Sequence, residues 1–260
     1  MSLPIKLIST DFDGTIFAEF ENPPIALEFQ QLIRDLQSRG AKWVINTGRD
    51  LSSLLETLAR AKISVQPDYL VLVEREIQVH DGVRYAPLEE WNMACTRAHE
   101  ELFARVRKDV PRITEWINER FEATVYADAY SPFCLIAGNN SDADVITSYL
   151  EDYCRSIPNL VPMRNDVYVR FSHAAFNKGT ALAELTRRLG LTAEQVFAAG
   201  DHLNDLPMLQ PQYAKWLAGP SNAIAVVQDQ LRRFGGIISG QHSAYGVAEV
   251  LARCLNRAAA

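Results

Sequence analysis

The chain has 260 residues, 48% hydrophobic and 22% charged, a globular composition long enough to bury a full core without disulfides or structural metals. A net charge of −6 and a pI near 5.4 exclude bulk attraction to nucleic acid or to an anionic membrane. Any phosphate-bearing ligand must therefore be held by local devices such as a single lysine, backbone amides or a metal. The cysteines Cys95, Cys134, Cys154 and Cys254 are far apart and form no C-x-x-C pair, which argues against a zinc site or a disulfide framework. The N-terminal run lacks the apolar length of a signal peptide, and no stretch approaches the roughly 18 apolar residues of a membrane span. The expectation is a soluble cytoplasmic protein with reduced thiols.

In chain order, Pro4 to Ser9 reads as a short strand ending at Thr10 and Asp11. Ile25 to Arg39 carries apolar residues at helical period and stops at Gly40. Ala41 to Asn46 is a second strand, broken by Thr47-Gly48, and Leu51 to Ala61 a second helix with Asp50 as N-cap. Tyr69 to Val73 is continuously apolar, as expected of a strand covered on both faces. This β-α-β-α-β order is the signature of a parallel sheet with helices packed on it.

The middle reads differently. Ile77 to Val83 alternates, with a hairpin signal at Asp81-Gly82. A long helix over Glu89 to Lys108 follows, then strands over Phe121 to Ala127, Phe133 to Ala137 and Asp166 to Phe171, with a helix over Asp142 to Arg155. That mixture predicts an α+β insert over 81–172 in a core made of 1–80 and 173–260. The core pattern then returns: a helix over Lys178 to Leu189, a strand over Gln195 to Ala199, and a short helix over Asn204 to Gln210. Strands over Lys215 to Ala218 and Gly236 to Ser239 precede a closing helix over Gly246 to Asn256. There is no internal repeat, low-complexity tract or flexible linker.

In open α/β sheets the functional groups gather at the carboxyl ends of strands, and four such places carry residues suited to phosphate chemistry. Asp11-Phe12-Asp13-Gly14-Thr15 follows the first strand. One of its carboxylates can attack phosphorus, and a second carboxyl can donate a proton to the leaving oxygen and later accept one from water. D-x-D-G also opens an EF-hand loop, but the sixth position here is Ile16 instead of Gly, and no helix precedes it. Thr47-Gly48-Arg49 offers a hydroxyl and a freed backbone amide to a phosphate oxygen, although Thr-Gly is a common turn. Lys178 stands at a helix start, where a lone lysine is more often a solvated surface residue. Asp201 and Asp205 in GDHLND would share a face if their turn were helical, and hard carboxylate oxygens suit Mg.

DFDGT, INTGR, NKG and GDHLNDLPML, in that order, resemble the four motifs of the haloacid dehalogenase phosphohydrolases, and more narrowly the Cof-type and sucrose-phosphatase-like members. The resemblance implies a Rossmann-like parallel-sheet core with an inserted α+β cap, and an Mg-dependent phosphatase acting through an aspartyl-phosphate. It implies Asp11 as nucleophile, Asp13 as general acid and base, and Thr47, Gly48, Lys178 and Asn204 as phosphoryl contacts. It further implies Mg held by the Asp11 carboxylate, the Asp13 backbone carbonyl and Asp201, with Asp205 orienting Lys178 or water. The expected substrate is a small phosphomonoester, a sugar or sugar-acid phosphate, with no nucleic-acid or membrane partner. A phosphomutase and a non-catalytic phospholigand-binding protein on the same fold are the alternatives. The chain departs from the family where an Asn-Gly-Ala-like turn is usual and Val73-Glu74-Arg75-Glu76 stands instead. Glu74 and Arg75 read either as specificity residues or as a solvated strand edge. His202 reads as a rim residue, and the other histidines as surface or packing positions. Arg164-Asn165-Asp166 and Tyr126 to Asp128 are polar enough to select a leaving group, or are simply solvated loops.

Overall fold

The structure, a computed structural model, describes residues 3–259. Its first strand, β1 (Leu7–Thr10), is buried along its whole length, which is why its sequence is continuously apolar up to Ser9 and Thr10. β1 pairs in parallel with β2 (Lys42–Asn46) on one side and with β10 (Val196–Ala199) on the other. β10 continues to β11 (Trp216–Gly219) and β12 (Ile237–Ile238), and β2 to β3 (Tyr69–Leu72), all parallel. Two antiparallel strands, β4 (Glu76–His80) and β5 (Tyr85–Pro87), complete the sheet in the order β12-β11-β10-β1-β2-β3-β4-β5.

The core helices are α1 (Leu27–Ser38), α2 (Leu51–Arg60), α6 (Lys178–Arg188), α7 (Ala225–Arg233) and α8 (Ser243–Ala259). Asp50 caps α2 through the Ser53 N–H, as its position before the apolar period predicts. Trp43 and Phe29 meet edge to face, with ring centroids 5.7 Å apart. The Trp43 indole N–H is satisfied by Thr10 Oγ1 at 3.1 Å, so the largest core residue carries no orphan donor.

The chain divides into two units, one running to Leu88 and resuming at Lys178, the other Glu89–Asn177. The sequence pattern places the start of the insert at 81. In the structure β4 pairs with β3 over Tyr69↔Val79 to Leu72↔Glu76, so the whole hairpin extends the first unit's sheet.

The second unit holds α3 (Glu89–Val106), α4 (Val110–Asn118), β6 (Ala123–Tyr126), β7 (Cys134–Ala137), α5 (Asn140–Cys154), β8 (Leu160–Asn165) and β9 (Tyr168–His173). Its strands form an antiparallel sheet, β6-β7-β9-β8, over a separate core that includes Ile113, Phe133, Ile146 and Phe171. α4, β8 and α7 are absent from the sequence reading. Pro111 interrupts the pattern at the start of α4. β8 contains Pro162, which an edge strand tolerates, and α7 buries little beyond Val227 and Leu231. His99 is a satisfied core histidine, with one ring nitrogen on Cys95 O at 2.8 Å and the other accepting the His173 N–H at 3.2 Å. The four cysteines are buried and free. Among the described residues, no helix is long and apolar enough to cross a membrane.

Candidate active site

Because β3, β2, β1 and β10 run parallel, their carboxyl ends lie along one edge of the sheet. The chain leaves that edge under backbone control. Asp11 N–H bonds to Ala199 O at 2.9 Å, Thr47 N–H to Val71 O at 2.8 Å, and Glu74 N–H to Thr47 O at 2.9 Å. The four sequence motifs are thereby brought together from positions far apart in the chain.

At the centre stands Lys178, the first residue of α6 and fully buried. Its Nζ donates to Asp11 Oδ1 and to Asp205 Oδ1, each at 2.7 Å. Asn46 Nδ2 holds the Lys178 carbonyl at 3.0 Å, fixing the helix start against β2. The Asp205 carboxylate is fully engaged, since its Oδ2 accepts the Asp201 and His202 N–H groups at 2.9 and 3.0 Å. These bonds fold 203–205 into a 3₁₀ turn where the sequence pattern suggested a helix over Asn204 to Gln210. Asp205 is thus an anchor for the lysine and the loop.

Asp11 and Asp201 are differently placed. Asp11 Oδ1 takes the lysine and Asp201 Oδ1 takes Thr15 Oγ1 at 2.6 Å. The second oxygen of each accepts no hydrogen bond among the described residues. Gly14 comes so close to Asp201 that a Cβ there would collide with Asp201 Oδ2, and its φ of 74° lies in the left-handed region. Only glycine fits both demands.

Carboxylate oxygens of Asp11, Asp201 and Asp205 lie within 4.8 Å of one another. Burial, then the charge of Asp205, raises Asp11 well above the ordinary carboxylate range. The same causes raise Asp201 to about 7. Burial by itself would lower Lys178, but Asp11, then Asp205 and Glu74, raise it instead. Three buried carboxylates around one lysine are short of positive charge, and a hard divalent cation fits that deficit. With Asp205 committed to Lys178 and two amides, Asp11 and Asp201 are the carboxylates with an oxygen to spare for it.

Asp13 faces elsewhere. Arg49 grips it in a two-pronged contact, Nε to Oδ2 at 2.8 Å and Nη2 to Oδ1 at 2.7 Å. Ser53 Oγ and Thr57 Oγ1 on α2 accept from Arg49 Nη1 at 3.1 and 2.9 Å, and its guanidinium lies 5.5 Å from the Phe12 ring centroid. In the sequence Arg49 stands out only as part of a turn. Its one available signal was an arginine directly after a Thr-Gly phosphate turn.

Thr47 is buried and accepts the Arg49 N–H at 3.2 Å. Its own hydroxyl proton has no acceptor among the described residues. Gly48 lies beside Glu74 and Asn204, and Asn204 Nδ2 donates to Glu74 Oε1 at 2.9 Å while Asn204 Oδ1 is buried without a partner. Glu74 and Arg75 are both buried, which removes the reading of a solvated strand edge. Asn222 Nδ2 ties Gly14 O to the C-terminal segment at 2.9 Å. In the second unit Arg164 is occupied by Asp144, Asn140 and the Asp166 carbonyl, so it braces its own loop.

A family model described as haloacid dehalogenase-like hydrolase matches residues 91–251, and one described as sucrose-6F-phosphate phosphohydrolase matches residues 4–124. The chain is 25% identical over 264 residues to a 5-amino-6-(5-phospho-D-ribitylamino)uracil phosphatase of Bacillus subtilis, covering 95% of this chain and 94% of that protein. It is 19% identical to a phosphoglycolate phosphatase of Staphylothermus marinus, covering 97% and 99% of the two chains. Its fold is similar to that of the sucrose-phosphatase of Synechocystis sp. PCC6803, solved with sucrose and phosphate, at a TM-score of 0.72, 17% identity and coverage of 96% and 98%.

Proposed function

We propose, for a chain that belongs to the haloacid dehalogenase-like hydrolases and is a phosphatase of that type, Mg-dependent hydrolysis of a small phosphomonoester through an aspartyl-phosphate on Asp11. One observation carries the reading: Asp11 has one oxygen on a fully buried lysine and the other without a hydrogen-bond partner, and its carboxylate lies within 4.8 Å of those of Asp201 and Asp205. A carboxylate held in this way is oriented, has a lone pair to offer, and sits where a cation can join it.

Asp11 attacks phosphorus, the bond to the leaving oxygen breaks with its electron pair, and that oxygen takes a proton from Asp13. The resulting Asp13 carboxylate then removes a proton from water as the water oxygen attacks the same phosphorus. Phosphate leaves and Asp11 is restored. Lys178 offsets charge as an anionic nucleophile meets an anionic phosphoryl group, and Thr47, with its uncommitted hydroxyl proton, donates to a phosphoryl oxygen alongside the Gly48 amide and the remaining Asn204 N–H. Bound through Asp11, Asp201 and the Asp13 carbonyl, Mg would add positive charge against the phosphoryl oxygens. Asp13 cannot protonate a leaving group while both its oxygens accept from Arg49, so proton delivery requires that contact to open. Arg49 is a positioning residue for the acid.

The substrate is a phosphorylated sugar or sugar acid, whose sugar oxygen is the leaving group, chosen by the second unit, Glu89–Asn177, acting as a cap. Support comes from the matched sucrose-6F-phosphate phosphohydrolase model and from the phosphoribityl substrate in the name of the Bacillus relative. The test is phosphate release from sugar, glycerate and nucleotide monophosphates, with Mg and with EDTA, for wild type and Asp11→Asn. Mg-dependent release lost in the variant is expected. Release that persists in Asp11→Asn, or none from any compound by a folded protein that binds Mg, would sink the reading.

A further inference from the structure

The turn after β3 is built against its own backbone preference. Arg75 N–H closes it on Leu72 O at 2.9 Å, and both central residues have positive φ, Val73 at 44° and Glu74 at 68°. Turns of this hand favour Asn-Gly, because side chains at positive φ are strained, a β-branched one most of all. A glycine at position 74 would relax the second of the two central residues, so the glutamate side chain must contribute something that the turn does not need.

Glu74 is only 7% exposed. Oε1 accepts from Asn204 Nδ2 and would stand 3.4 Å from a Cβ on Gly48, while the Glu74 N–H is bonded to Thr47 O. Glu74 is therefore set into the same few residues that hold the phosphoryl group in the reading above. It also removes one of the two Asn204 N–H donors from that group. A buried carboxylate beside an anion site opposes the binding of the anion.

We propose that Glu74 is a specificity-determining residue whose negative charge weakens the hold of the Thr47–Gly48–Asn204 corner on the phosphate dianion, lowering product inhibition. The inference rests on the phosphatase reading. The dianion of inorganic phosphate carries more charge on its oxygens than the loose, metaphosphate-like phosphoryl group does in transfer. A fixed negative charge nearby penalises product more than the transition state, and that difference favours turnover. Holding Asn204 in place does not require the charge, because a glutamine would accept the same hydrogen bond.

Glu74→Gln keeps the shape and that hydrogen bond while removing the charge. Inorganic phosphate is used as a competitive inhibitor at saturating Mg, and independently as a thermal stabiliser of the Mg-loaded protein. About tenfold tighter phosphate in both measurements is expected for Glu74→Gln, with a lower KM and no gain in kcat. Glu74→Gly is expected to tighten phosphate similarly and to melt higher without ligand. Unchanged or weaker phosphate binding in Glu74→Gln overturns the proposal, as does a tightening that appears only with an altered Mg requirement. The stabilisation arm needs no turnover, so a protein that binds phosphate but never releases it from an ester through Asp11 breaks the phosphatase reading and leaves the effect of Glu74 on phosphate measurable.

Discussion

Asp11 and Asp13 are two residues apart and chemically identical, yet they occupy opposite kinds of surroundings. Asp11 is buried against a fully buried lysine, among other carboxylates. Asp13 keeps 45% of its side chain exposed and is paired with an arginine that is itself 28% exposed. The first surrounding is dry and short of positive charge, so its electrostatics are strong and its geometry is fixed. The second is wet and charge-balanced, so its contact can be exchanged at small cost. A nucleophile needs the former and a proton carrier that must move needs the latter. In the proposed mechanism environment, more than residue type, divides the labour between them.

The comparison breaks first at Asp11. Asp11→Asn is expected to lower kcat by about 10⁴-fold or more, since nothing nearby replaces the attacking oxygen; single-turnover phosphate release is the measurement. Lys178→Met should cost about 10²–10³ in kcat/KM. It should also destabilise the metal-free protein by roughly 3–5 kcal/mol in urea unfolding, because Asp11 and Asp205 lose a buried partner. If Lys178→Met is as stable as wild type, the picture of a tightly coupled buried site fails. Asp13→Asn should slow the first-turnover release of poor leaving groups by about 10²–10³ and that of p-nitrophenolate, which needs no proton, much less.

Acidity sharpens the same contrast. Asp201 rises from an ordinary value of 3.8 to about 7 on folding, and Asp11 is raised too. A raised carboxylate contributes stability below its unfolded value and loses it as pH climbs through the folded one. Without metal, the protein should therefore lose stability between about pH 4 and 7. Mg should restore stability at the upper end and release protons on binding, which calorimetry in buffers of different ionisation enthalpy detects. A metal-free melting temperature that rises over that interval would falsify the assignment. The smallest effect belongs to the exposed pair: Arg49→Lys should change kcat by about tenfold or less, shifting its pH profile and leaving the melting temperature nearly unmoved.

Much of this was legible in the chain. The strands β1, β2, β3 and β10 announce themselves as apolar runs because parallel strands are covered on both faces, and the polar residues after them mark the sheet edge where ligands gather. Asp11, Thr47 and Asp201 stand out in that way, while Lys178, at a helix start, is marked by the family resemblance. The sequence could not assign the start of the second unit, because Ile77 to Val83 alternates equally well as the edge of one sheet or as the opening of another. Nor could it separate the two oxygens of each carboxylate. Taken by itself Lys178 reads as a solvated lysine, and only the structure shows it buried; Asp205 shares a face with Asp201 if their turn is helical, but its carboxylate closes a 3₁₀ turn instead. Arg49 closes the INTGR motif without a role read for it and Glu74 stands outside any motif, and their partners Asp13 and Asn204 lie 36 and 130 residues away. Local pattern determines which segments form strands and helices, because periodicity and turn chemistry act over a few residues. Which charges are buried together depends on chain segments that only the closed sheet brings within hydrogen-bonding distance.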